Sequence, residues 1–142
     1  MKIAIVHDWI TAVAGSESCL KIIAETYPEA DVFTLVSDPE SLKKLNINPE
    51  RVTNSIIQKF PKSKKIWKSY LPFFPFAIEQ LDLSSYDVII SSSHAVAKGV
   101  LTKADQIHIC YIYSPIRYVW DLYHQYLDEA NLNRSLKGYF AK

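Results

Sequence analysis

Short apolar runs alternating with helical patterns predict an α/β fold with a parallel sheet and helices on both faces. The strand-like runs are continuous rather than alternating, as expected of strands covered on both sides. The chain has 142 residues, the size of one ordinary domain.

The first run, Ile3-Ala4-Ile5-Val6, predicts a strand buried on both faces. A loop follows from Asp8 to Gly15, and then a helix with Ser16 as its expected N-cap. Leu20, Ile23, Ala24 and Tyr27 share one face of that helix, and Pro28 marks its end. Residues 31–36, DVFTLV, predict a second strand. Asp38 and Pro39 open a short helix as N-cap and first helical residue. Residues 46–78 are less regular and carry prolines at 49, 61, 72 and 75. A strand is expected over 86–90, running into Ser91-Ser92-Ser93-His94, and a last strand over 107–113. A helical segment with Tyr118, Leu122 and Tyr126 on one face follows.

Apolar residues make up 49% of the chain and charged residues 22%, which excludes general disorder. Lys plus Arg number 16 against 15 Asp plus Glu, a balance that argues against a nucleic-acid partner. Cys19 and Cys110 supply neither a disulfide framework nor a metal cluster, and buried reduced thiols are expected. The apolar run at the N-terminus is too short for a signal peptide. No run approaches the roughly 18 apolar residues of a membrane span. A cytoplasmic protein is expected, at most peripheral on a membrane.

In a parallel sheet, ligands bind beyond the carboxyl ends of the strands. Loops 8–16, 91–99 and 114–121 leave those ends. In the first, Gly15 between a strand and a helix N-terminus lets backbone N–H groups approach an anion. No GxGxxG is present, so a dinucleotide fingerprint is unsupported, and a plain turn glycine is the competing reading. In the second, His94 can hold a hydrogen bond or a proton near neutral pH. A histidine beside a helix start also serves as a cap or as packing, and the absence of GxSxG argues against a hydrolase elbow. In the third, Arg117 offers a fixed fork for a phosphate or carboxylate. Trp120 and Asp121 suit a sugar, but an aromatic helix face packing on the sheet is the better reading of Tyr118 and Trp120.

Between residues 51 and 78 there is no Asp or Glu, whereas Arg51, Lys59, Lys62, Lys64, Lys65 and Lys68 supply positive charge. Phe60, Trp67, Tyr70, Phe73, Phe74 and Phe76 interleave. Lysines beside exposed aromatics suit an anionic bilayer, each contributing about 1 kcal/mol. Lys59, Lys62, Lys64, Lys65, Trp67 and Lys68 are the candidate docking residues. Nucleic acid attracts such a patch too, and a solvated lysine face over buried aromatics is the plain alternative.

Several segments in order carry a resemblance: MKIAIVHDWIT, AGSES, DVFTLVSDPE, LPFFPFAIEQLDLSSYDVIISSSHAVAKGVL and CYIYSPIRYVWDLYHQYL. Together they resemble the N-terminal, acceptor-binding domain of retaining glycosyltransferases of the GT-B fold, family 4 or group 1. The resemblance implies a Rossmann-like domain that pairs with a second one holding a nucleotide-diphosphate sugar. It implies transfer to a hydroxyl in a cell-surface polysaccharide or lipid-linked glycan, with no metal or other cofactor. Ala14, Gly15 and Ser16 then correspond to the turn that approaches the donor diphosphate. The family's usual second glycine is Ala14 here. His94 corresponds to the residue facing the transferred sugar or acceptor hydroxyl. Asp8, Arg117, Tyr118 and Asp121 are expected on the acceptor side of the cleft. The family's donor domain has no counterpart in these 142 residues, so half of a longer enzyme, inactive alone, is expected. A non-catalytic membrane- or partner-binding module is the alternative, with self-association through an uncovered apolar face.

Overall fold

A computed structural model describes residues 1–61 and 63–114. The strands are β1 (Ile3–His7), β2 (Asp31–Thr34), β3 (Val52–Asn54), β4 (Val88–Ser93) and β5 (Ile107–Ile112). All run parallel, in the order β3-β2-β1-β4-β5. β1 lies at the centre, with Ala4 opposite Asp31 on one side and Ile89 on the other. The fold is Rossmann-like α/β, as the sequence predicts.

The continuous apolar runs divide between two cores. Ala4 and Val6 face Phe33, Ile57, Phe74 and Ile78 on one side of the sheet. Ile5 faces Leu20, Val32, Leu42 and Leu45 on the other. The second core is built by α1 (Gly15–Thr26) and α2 (Pro39–Lys44). The first takes in residues of the 55–78 segment, which folds as α3 (Ser63–Ile66), α4 (Phe74–Glu79) and 3-10 turns at Ile56–Lys59 and Trp67–Phe73. Burying each Leu, Ile or Phe contributes about 1.5–3 kcal/mol, so both faces matter to stability.

Several boundaries differ from the sequence reading. The N-cap of α1 is Ala14, two residues before Ser16. Alanine has no side-chain acceptor, and Glu17 instead returns its carboxylate to the Ala14 N–H at 3.0 Å. β2 stops at Thr34 because Val36 and its neighbours turn to the loop after β1. The Leu35 N–H donates to the Asp8 carbonyl at 3.1 Å, and the Ile10 N–H donates to the Val36 carbonyl at 2.8 Å. β3 is a strand the sequence reading lacks, three residues long and at the sheet edge. β4 begins at Val88 and takes in all three serines, each fully buried, because Ser91 and Ser92 pair with Val6 and His7. The helix at Asp38 is as expected: its carboxylate accepts the N–H groups of Glu40 and Ser41 at 3.1 and 3.2 Å. Cys19 and Cys110 are free and half-buried rather than buried.

Among the described residues, no helix is long and apolar enough to cross a membrane. Lys62, Arg117, Tyr118, Trp120, Asp121 and the helical segment expected after them lie outside the described residues.

Candidate functional site

The chain lays down β1, β2 and β3 in one direction and then returns to place β4 on the other side of β1. In sheets of this kind, ligands bind outside the carboxyl ends of the strands at such a switch point. Gly15, Ser16, Asp8 and His94 all stand at this edge.

Asp8 follows β1 directly and is fully buried. Its carboxylate accepts four backbone N–H groups from the turn after β4: His94 at 2.7 Å, Ala95 at 3.0 Å, Val96 at 2.7 Å and Ala97 at 2.6 Å. Charge-assisted bonds of this kind are about twice as strong as neutral ones. The same oxygen that accepts the His94 N–H lies 3.1 Å from the His94 Nδ1. Asp8 thus holds the backbone and stands against the ring of His94, with both oxygens engaged.

The His94 side chain is 25% exposed. Trp9 meets it edge-on, with ring centres 4.5 Å apart, and the rings of His7 and Tyr113 stand 6.5 and 6.4 Å away. Burial lowers the affinity of His94 for a proton. Asp8 and Glu17 act the other way, but the net shift is downward from the ordinary histidine value. At neutral pH the ring is suited to accept a hydrogen bond or a proton.

Beside it, α1 presents its N-terminus. No glycine among the described residues has a positive φ, and a Cβ added at Gly15 would meet no atom within 4 Å. Gly15 is therefore not forced by the turn, and the space before it is open. The Ala14 N–H is already taken by Glu17, whose Oε2 also accepts the Ser16 hydroxyl at 2.9 Å. The Gly15 and Ser16 N–H groups lie in the first turn, where a helix supplies no partner for them. Of the three expected diphosphate contacts, the structure leaves these two.

Four further residues complete the edge that the sequence reading misses. His7 is fully buried, with Nδ1 3.0 Å from the Ser92 Oγ. Ser92 lies 2.8 Å from the Tyr113 hydroxyl, which donates to the Ser16 carbonyl at 3.1 Å. Tyr113 therefore spans from β5 to the first turn of α1. Burial raises its ionisation to about 12, so it stays a neutral donor. Glu17, 4% exposed, sits 3.8 Å from the His7 Nε2. Burial raises its carboxyl, but the His7 ring, the backbone N–H groups and the Ser16 hydroxyl outweigh that and pull it to about 2. The signal for Glu17 was its position three residues after the N-cap, the spacing of a reciprocal cap.

The lysine–aromatic segment lies apart from these contacts but touches them through Trp9. Trp67 packs against Trp9 with ring centres 4.4 Å apart and planes tilted by 40°, and it is only 8% exposed. Trp67 is thus a core residue and not a membrane contact, correcting the sequence expectation. Lys59 and Lys68 are exposed, and the Lys68 Nζ lies 5.6 Å over the Trp67 ring. Lys64 and Lys65 lie on α3. The exposed apolar side chains are Ile56, Ile66, Leu71, Phe73 and Phe76.

Among the described residues, no group of three or more His, Cys, Asp or Glu is placed to hold a metal ion. A cavity rimmed by Tyr27, Ala30, Asn46 and Arg51 lies at the opposite end of the sheet and holds none of the candidate residues. Compared with protein-family models, curated proteins and solved structures, the chain found no match.

Proposed function

We propose that this domain is the acceptor-binding half of a retaining glycosyltransferase that moves a sugar from a nucleotide-diphosphate sugar to a hydroxyl. The product is a cell-surface polysaccharide or lipid-linked glycan. The observation that carries the reading is the shared edge at β1 and β4. There the open N-terminus of α1 and the imidazole of His94 flank Tyr113, which bonds to Ser16 and packs its ring near His94. The Gly15 and Ser16 N–H groups stabilise charge developing on the departing diphosphate. His94 positions the sugar or the acceptor hydroxyl, and Asp8 fixes the turn that carries it. Arg117, Tyr118 and Asp121 belong to the acceptor side in this reading. Transfer needs a second, donor-holding lobe, so the 142-residue chain binds without turnover.

A second reading, a non-catalytic module docked on an anionic membrane or a partner, is favoured by exposed Leu71, Phe73 and Phe76 beside Lys59 and Lys68. The two are separated by titrating uridine diphosphate into 15N-labelled protein. The glycosyltransferase reading expects saturable shifts of the Gly15, Ser16 and His94 amides. Shifts absent there, with vesicle binding retained, leave the module reading.

A further inference from the structure

The hydrogen bonds from His7 through Ser92 and Tyr113 to the Ser16 carbonyl run in one direction. A carbonyl only accepts, so the single Tyr113 proton points to Ser16. The Tyr113 oxygen then accepts from Ser92, and the Ser92 Oγ accepts from His7. The His7 Nδ1 therefore carries a proton. Its Nε2 is fully buried, has no hydrogen-bond partner, and faces the Glu17 Oε1 at 3.8 Å. Glu17 and the Nε2 have room for one further proton between them. Without it the pair carries a negative charge at the N-terminus of α1. With it the pair is neutral.

That placement matters because Glu17 occupies the donors an incoming anion needs. Its Oε2 accepts the Ala14 N–H and the Ser16 hydroxyl, one residue from the free Gly15 N–H. A negative pair repels a phosphate group there, and a neutral pair does not. Resting on the diphosphate role proposed above, we propose that the N-terminus of α1 is a proton-coupled anion site. A diphosphate binds together with one proton from solvent, which the pair takes up at the His7 Nε2, facing the Glu17 carboxylate.

The other titratable groups facing the pair are His94 and Asp8 from the loops, Tyr113 after β5, and Cys19 and Lys98 near them. Burial pushes the ionisation of His94 below the ordinary histidine value and Tyr113 stands at about 12, so both are mainly neutral above pH 7.

The test is the dissociation constant of uridine diphosphate from the intact chain between pH 7 and 8.5, read from the Gly15 and Ser16 amide shifts. The terminal phosphate of the probe, with a second pKa of about 6, is at least about nine-tenths ionised throughout, and its remaining titration tightens binding as pH rises, opposite in sign to the expected effect. Uptake of one proton makes the constant rise with pH, by up to about tenfold per unit. Glu17→Gln is expected to bind at the tight limit and His7→Gln at the weak limit, both without pH dependence. A constant that is flat with pH in the unaltered chain overturns the proposal, and so does a slope that survives in His7→Gln. Both variants rest on the same amide spectrum as a check of folding, and the unaltered chain decides if either fails to fold. Failure of uridine diphosphate to bind at any pH overturns the diphosphate reading itself.

Discussion

One oxygen of Asp8 accepts the His94 backbone N–H at 2.7 Å and stands 3.1 Å from the Nδ1 of the same residue. Separated by 86 positions in the chain, the two residues are joined across the divide between β1 and β4. The candidate site is therefore held by a buried carboxylate serving as the anion of a backbone nest.

Replacing that carboxylate strips four N–H groups, buried or half-buried, of their acceptor. Asp8→Ala is expected to lower stability by about 3 kcal/mol or more, since each orphaned buried donor costs about 1–3 kcal/mol. Urea denaturation measures it. The exposed Asp87→Ala, whose carboxylate accepts the Lys2 N–H, is the comparison and should cost well under half as much. Equal losses in the two variants contradict the clamp.

Removing one hydroxyl tests the tie between β5 and α1. Tyr113→Phe loses the bond to the Ser16 carbonyl and the contact with Ser92. The expected loss is about 1–2 kcal/mol. Amide hydrogen exchange should speed at residues 15–18 more than in β2. Uniform change across the chain argues that Tyr113 is only packing.

Acid stability should fall in two stages. The folded pKa of His94 is depressed below its unfolded value of about 6.5, so the unfolded chain binds a proton first as the pH drops. His108, depressed by burial against β4, adds to the same stage. Stability is thus lost as pH falls below about 6.5, and His94→Gln should flatten that stage. Glu17 is depressed from 4.5 to about 2, so its contribution is present above 4.5 and is lost as pH falls from 4.5 toward 2. Glu17→Gln should remove the lower stage only. Midpoints of urea unfolding across pH 2–8 give both slopes.

The lysine–aromatic segment separates into outward and inward aromatics. Phe73→Ser with Phe76→Ser, or Lys59→Glu with Lys68→Glu, should reduce co-sedimentation with anionic vesicles several-fold and leave stability within about 1 kcal/mol. Trp67→Ser should instead cost about 3–5 kcal/mol of stability, as loss of a stacked core ring does. Unchanged vesicle binding in both surface pairs removes the membrane from the reading.

The strands were legible where both faces are buried, because a continuous apolar run has few other uses. Their ends were not. β2 stops early through bonds to the loop after β1, and no local pattern signals a partner so distant. β3 is three residues, too short for any period to show. At the edge itself, Gly15 and His94 stood out by residue type and by resemblance to a family. Asp8 is expected from the sequence only on the acceptor side, and its clamping role is hidden because its four donors are nearly 90 residues away. Trp67 looked like an interfacial aromatic because irregular 3-10 turns give no face to count. The polar line from Glu17 to Tyr113 draws on α1, β1, β4 and the residue after β5, and only the folded sheet brings His7 opposite Ser92.

A crystal structure of this chain with uridine diphosphate bound decides whether β1 and β4 frame a phosphate site. Diphosphate oxygens should lie about 2.7–3.2 Å from the Gly15 and Ser16 nitrogens, on the same side of the sheet edge as the His94 ring. A diphosphate seated elsewhere, with those two nitrogens facing only solvent, contradicts it.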